Sequence, residues 1–168
     1  FKGASLSRLA MYRKILNLEE KKLIGFDTFG KFPETDYDQD KNLREEFINE
    51  SGEESIDEDQ LLQVLRLKDC DVNTELVKGN IIETVPEYLA LNPSLKISLL
   101  NIDVDVYEPT QVILENLYKC MTKGGILILD DYSTFPGETN ALNEFFEDKQ
   151  ESIQSPLFPQ TPYFVVKE

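Results

Sequence analysis

At 168 residues the chain is long enough for one domain with a sizeable buried core. Thirty-two acidic residues against 17 basic ones leave a net charge of −15, and with the bases scattered a phosphate backbone would be repelled, which excludes nucleic acid as the expected partner. Histidine is absent, so zinc held by imidazole is excluded and any general base must be a carboxylate, lysine, tyrosine or metal-bound group.

Ser5 to Leu16 carries Leu6, Leu9, Ala10, Ile15 and Leu16 at helical spacing. Lys22 to Phe26 reads as a short strand closed by Asp27. Residues 30–52 form a polar, acidic excursion with alternating Asp36, Asp38 and Asp40, and a short helix is expected only around Leu43 to Ile48. Ser55-Ile56-Asp57-Glu58 has the form of a capping box before a helix from Asp57 to Lys68. Thr74 to Lys78 is a strand ending at Gly79-Asn80. The helix from Ile81 to Leu91 tolerates Pro86 only in its first turn or at the start of a second helix.

Leu95 to Ile102 is the most apolar run and reads as a buried strand ending in Asp103. Pro109 to Met121 is the next helix, with Pro109 suited to its first position and Gly124-Gly125 closing it. Ile126 to Leu129 is a second buried strand, ending in Asp130-Asp131. Gly137 to Glu147 reads as a helix. Ile153 to Phe158 and Tyr163 to Lys167 then read as a closing antiparallel pair around a Pro159–Pro162 turn. Strands alternating with helices, and central strands apolar throughout, indicate a doubly wound, mostly parallel α/β sheet with an antiparallel C-terminal edge.

No apolar run approaches the roughly 18 residues of a membrane span, and no signal peptide is visible, although the start at Phe1 leaves a removed segment open. Cys70 and Cys120 have no metal-type spacing and read as free thiols in a reducing, cytoplasmic compartment.

In an open α/β sheet, ligands bind beyond the carboxyl ends of the strands. Those positions here are Asp27, Asn80, Asp103 with Asp105, and Asp130 with Asp131. Asp27 is placed to accept hydrogen bonds from both hydroxyls of a ribose, or else caps its loop. Asn80 would sit near an adenine, although Lys78-Gly79-Asn80 is also ordinary turn chemistry. Asp103, Asp130 and Asp131 converge if their strands are adjacent. Three unpaired carboxylates raise one another's pKa, and a hard cation such as Mg²⁺ relieves the repulsion. Asp105, two residues after Asp103, is expected to be structural rather than a ligand. The aromatic residues near strand ends are expected mostly to pack, with one or two lining a pocket.

The stretch Gly25-Phe26-Asp27-Thr28-Phe29-Gly30-Lys31-Phe32-Pro33, then Leu100-Asn101-Ile102-Asp103-Val104-Asp105-Val106-Tyr107-Glu108-Pro109-Thr110, then Gly124-Gly125 through Asp130-Asp131-Tyr132 and Pro136-Gly137, resembles the macrocin O-methyltransferase (TylF-like) family. The resemblance implies a Rossmann-like class I fold with S-adenosylmethionine as methyl donor, and Mg²⁺-assisted methylation of a sugar hydroxyl. Phe1-Lys2-Gly3-Ala4-Ser5 matches the second half of the family's glycine-rich turn. The cofactor contacts so implied are Lys2, Gly3, Ser5, Asp27, Thr28, Phe29, Asn80, Ile81 and Asp103. Asp103, Asp130 and Asp131 are implied as metal ligands, with Asp103 also a candidate base. The partner expected is a small sugar-containing hydroxyl acceptor, with a homo-oligomer as a further option.

The strand and acidic-glycine half of that turn belong before Phe1, so missing sequence within a single domain spanning 1–168 is expected rather than a different fold. Two other readings compete. One is a non-catalytic cofactor-binding domain. The other is a haloacid-dehalogenase-like phosphatase, whose nucleophile motif Asp103-Val104-Asp105-Val106 superficially fits, although only 62 residues follow it.

Overall fold

The computed structural model describes residues 2–155 and 162–168. Helices and strands alternate through most of the chain: α1 (Ala4–Ile15), β1 (Leu23–Asp27), α2 (Asp38–Ser51), α3 (Glu58–Leu67), β2 (Thr74–Lys78), α4 (Ile81–Leu91), β3 (Ile97–Ile102), α5 (Tyr107–Leu117), β4 (Met121–Leu129), α6 (Pro136–Phe146) and β5 (Tyr163–Val166). β1 pairs with β2 in parallel, and β3 with β4 in parallel, while β5 runs antiparallel to β4. The expected α/β class and antiparallel edge are therefore present. The chain divides into two compact units, one of residues 1–34 and 47–84 and the other of residues 35–46 and 85–168.

In the first unit the core gathers Ala10, Phe29, Leu61, Leu65 and Cys70, with Leu6, Leu23, Ile56 and Leu76 packed around them. α1 forms as expected and turns Leu6 and Ala10 of the expected set to the core, but Ser7 and Arg13 are inward with them while Ile15 is 73 % exposed. Arg13 explains the choice. Its guanidinium donates to the carbonyls of Lys21, Cys70, Val72 and Asn73 and to the Thr74 hydroxyl, so its charge is buried with both terminal nitrogens engaged.

α3 is capped by Asp57, whose Oδ1 accepts the Gln60 N–H at 2.8 Å, so the expected capping box on Ser55 does not form. α4 runs unbroken through Pro86, contrary to expectation. A proline there removes one helical hydrogen bond, and the helix nonetheless continues, with Val85 and Tyr88 buried to either side of it. α2, 14 residues long, is far more extensive than the short helix expected around Leu43.

In the second unit Ile102, Leu127, Leu129 and Val165 form a buried centre, and α5 packs on α6 through Leu114, Leu117, Ala141 and Leu142. β3 is less buried than its composition suggested, with Leu99 43 % exposed at the edge of the order β3-β4-β5. α5 stops at Leu117, and a single 3₁₀ turn, Tyr118–Cys120, leads into β4. Gly124-Gly125 consequently lies inside β4 rather than ending a helix. Ile97 pairs with Met121 but Leu99 pairs with Ile126, so the glycines sit in a bulge. A Cβ on Gly125 would stand 2.8 Å from the Thr122 carbonyl oxygen and 3.2 Å from that of Ser98, which only glycine avoids. Of the expected strand from Ile153, the described part contributes one antiparallel bridge, Gln154 with Phe164. Residues 156–161, with most of the proline turn, lie outside the described residues.

Candidate active site

Within the first unit, the carboxyl end of β1 presents Asp27. Its Oδ1 accepts the Phe29 N–H at 2.7 Å and the Ser55 hydroxyl at 3.2 Å, with Thr28 Oγ1 at 3.4 Å. The Ser55 hydroxyl thus orients Asp27 instead of capping α3. Phe29 takes a left-handed backbone (φ 46°), and its side chain goes into the core. Gly79 donates its N–H to the Asp27 carbonyl at 3.0 Å, tying the ends of β1 and β2 together. Asn80 Oδ1 accepts the Ile82 N–H at 3.1 Å and so begins α4, as the turn reading allowed.

Gly3 is the residue before α1, at φ 75°, and a Cβ there would meet Leu61 Cδ1 at 2.6 Å. The first turn of α1 holds no acid and its N-cap makes no side-chain hydrogen bond, so its N–H groups suit a carboxylate. Lys2 reaches back to the Glu54 carbonyl at 2.6 Å. An acid after β1 and a glycine-led helix start fit the ribose and amino-acid ends of S-adenosylmethionine.

Within the second unit, the parallel pairing of Ile102 with Leu129 puts the next residues of both strands side by side. The Asp130 N–H donates to the Ile102 carbonyl at 3.1 Å, which carries the ladder one step further. One carboxylate oxygen each from Asp103, Asp130 and Asp131 lies within 4.8 Å of the others. All-oxygen donors this close suit a hard divalent cation.

Asp105, at φ 64°, is mostly buried and hydrogen-bonds to Asp131. Burial first, then the Asp131 charge, pushes the Asp105 carboxyl well above the carboxylate range. Asp131 is raised too, chiefly by burial, while the bond from Asp105 opposes the rise. A structural role for Asp105 was expected, and the structure gives it one as the partner of a candidate ligand.

Three supporting residues escaped sequence reasoning. Glu138, in the first turn of α6 and 0 % exposed, accepts the Asp131 N–H on Oε1 at 3.2 Å; burial and the Asp131 charge push it up to about 9. Asp40, also 0 % exposed, accepts N–H groups from Tyr107 at 3.0 Å and Gly137 at 2.7 Å, capping the starts of α5 and α6 together. Glu108 accepts from the Thr35 hydroxyl and from the N–H groups of Asp36 and Tyr37. Tyr37 stacks on Tyr107 with ring centroids 4.6 Å apart. The acidic stretch read as an excursion is thus the clamp on the loop after β3. An acid every second residue showed only polarity; the partners are some 70 to 100 positions distant.

Residues 2–160 match the family described as macrocin-O-methyltransferase (TylF). The chain belongs to the TylF family. Among solved structures it is similar to CalS11, a calicheamicin methyltransferase, at 26 % identity and a TM-score of 0.76 over 96 % of this chain and 66 % of that one. An apo structure of CalS11, described as a TDP-rhamnose 3′-O-methyltransferase, aligns at 26 % identity and a TM-score of 0.66, covering 96 % and 65 %. The O-methyltransferase NovP shares the fold at 22 % identity and a TM-score of 0.78, covering 94 % of this chain and 66 % of its own. The chain therefore spans slightly under two thirds of the length of these solved structures. No curated protein matches it significantly. Membership of the TylF family displaces the phosphatase reading of Asp103-Val104-Asp105-Val106. No helix among the described residues is long and apolar enough to cross a membrane.

Proposed function

We propose that residues 1–168 act as a single S-adenosylmethionine-dependent O-methyltransferase domain, methylating a hydroxyl of a sugar or glycosylated natural product with help from Mg²⁺ or another hard divalent cation. Two observations outside the site favour a sugar-type acceptor: membership of the TylF family and the 26 % identity to CalS11. The observation that carries the metal-assisted form is the approach of the Asp103, Asp130 and Asp131 carboxylates to within 4.8 Å. Both cysteines are free thiols, which suits a reducing cytoplasm.

Asp27, oriented by Ser55 and the Phe29 N–H, accepts the ribose hydroxyls, while Gly3 and the first turn of α1, with Lys2 and Ser5, hold the amino-acid end. Thr28, Phe29, Asn80 and Ile81 shape the adenosine site through main chain and turn. Asp103, Asp130 and Asp131 would hold the cation, which when bound supplies a positive charge that lowers the pKa of a coordinated hydroxyl.

Asp103 takes the proton of the reacting hydroxyl as general base. The oxygen then forms its new bond to the methyl carbon as the carbon–sulfur bond breaks. The pair of electrons stays on sulfur, and S-adenosylhomocysteine leaves neutral at that atom. Holding acceptor oxygen, methyl and sulfur in line is the main contribution of the protein, because no covalent intermediate is needed.

Asp103→Asn keeps the size of the side chain and removes the base and one anionic ligand. Methyl transfer to a sugar acceptor is expected to fall at least 100-fold, while S-adenosylhomocysteine binding, followed by calorimetry, stays within about twofold. Wild-type turnover by that variant would remove Asp103 from the scheme. A wild-type chain that binds S-adenosylhomocysteine but methylates no sugar would favour the cofactor-binding domain instead.

A further inference from the structure

The first turn of α6 holds an acid that the chemistry above does not use. Glu138 is 0 % exposed, and its Oε1 is spent on the Asp131 N–H. Its Oε2 is buried and has no hydrogen-bond partner among the described residues. The charged groups that act on it are Asp131, Asp105 and Asp103, all acids. An acid in a first helical turn is ordinarily explained by the helix dipole, but such an acid sits in water. That explanation does not cover a carboxylate oxygen sealed among other carboxylates, where an unmet acceptor is costly.

We propose that Glu138 is a positioning residue for cation binding at Asp103, Asp130 and Asp131: a buried acid is kept at that cost because its Oε1, accepting the Asp131 N–H, fixes the Asp130–Asp131 turn that carries two of the ligands. The proposal rests on the metal-assisted reading. Groups one step behind the ligands orient them and set their affinity, and Glu138 reaches Asp131 through the main chain, which a substitution of the ligands themselves would not report.

The test is a titration of the whole, metal-free chain with Mn²⁺, followed by the loss of the free-ion paramagnetic signal, with melting temperatures of the metal-free proteins recorded alongside. Glu138→Leu, of similar volume, removes the acceptor of the Asp131 N–H. It is expected to bind Mn²⁺ about 10–100-fold more weakly, whereas Glu138→Gln, which keeps an oxygen for that N–H, stays within about threefold of wild type. A merely structural role would lower the melting temperature of Glu138→Leu and leave affinity alone. Wild-type affinity in Glu138→Leu overturns the proposal. If that variant does not fold, Glu138→Met takes its place in the titration: weakened Mn²⁺ binding supports the proposal and unchanged binding overturns it. Failure of the wild-type chain itself to bind Mn²⁺, with Asp103→Asn indistinguishable from it, overturns the cation reading beneath.

Discussion

At the scale of single residues, the C-terminal edge depends on one acid away from the site. Glu151 Oε1 accepts from the Lys167 ammonium at 2.6 Å and the Tyr118 hydroxyl at 2.9 Å, and Lys167 also lies 4.5 Å from the centre of the Tyr118 ring. The bond from Lys167, first of all, holds the Glu151 carboxyl down to about 2 from its ordinary 4.5. A depressed acid stabilises the fold above its unfolded pKa, and that contribution disappears as pH falls from about 4.5 towards 2. Melting curves over that interval are expected to steepen with acid in the wild type and to flatten in Glu151→Gln; parallel curves would refute the assignment. Gly137 supports the candidate site from the other side. A Cβ there would lie 2.6 Å from both Asp40 Cγ and the Tyr107 nitrogen. Gly137→Ala should therefore cost about 2–4 kcal/mol in urea unfolding, as overpacking combined with broken hydrogen bonds. An unchanged midpoint would mean that Asp40 has another place to go. The aspartates after β3 and β4 were legible in the sequence because each directly follows an apolar strand. Ser55, Glu138 and Asp40 were not, because local spacing carries no trace of partners 28 residues away for Ser55 or 67 and 97 for Asp40, nor, for Glu138, of burial.

At the scale of elements, alternation of apolar strands with helices was enough to read the class and the order, and boundaries failed where tertiary contacts outvoted local pattern. α1 is the clearest case. Its apolar residues suggested one face, but burying Arg13 turned Ile15 and Leu16 outward. Five acceptors around one guanidinium are beyond a lysine, which has three donors. Arg13→Lys is therefore expected to destabilise the first unit by about 2–3 kcal/mol, since buried acceptors lose their donors. Hydrogen exchange should show the loss at the amides of residues 18–23 and 70–74 around the lost contacts. Loss of protection only in residues 85–168 would contradict it. Gly124-Gly125 failed for a related reason. Paired glycines mark a helix end or a strand bulge equally well, and only the register of β3 against β4 tells them apart.

At the scale of the whole molecule, the charge of −15 governs how the fold responds to its medium. Self-repulsion weakens as the Debye length falls from about 30 Å at 0.01 M salt to about 8 Å at 0.15 M. A rise of roughly 2–4 °C in melting temperature over that range, measured without cations that could bind the acids, corresponds to about 1 kcal/mol for a chain of this size. A fall would show that salt bridges outweigh the repulsion. The bulge in β4 bears on how such a protein tolerates change in length. Because pairing restarts at Leu99 with Ile126, Thr122 and Lys123 work as slack between two separately aligned segments, while Gly124 and Gly125 are tied to Lys167. Residues added or removed there can be taken up without moving Asp130 relative to Asp103. The same edit between 126 and 130 has no such reserve and displaces one acid by a full strand step of about 3.3 Å. Natural variation and engineered insertions should therefore gather on the near side of Ile126, leaving the four apolar residues before the paired aspartates fixed in number.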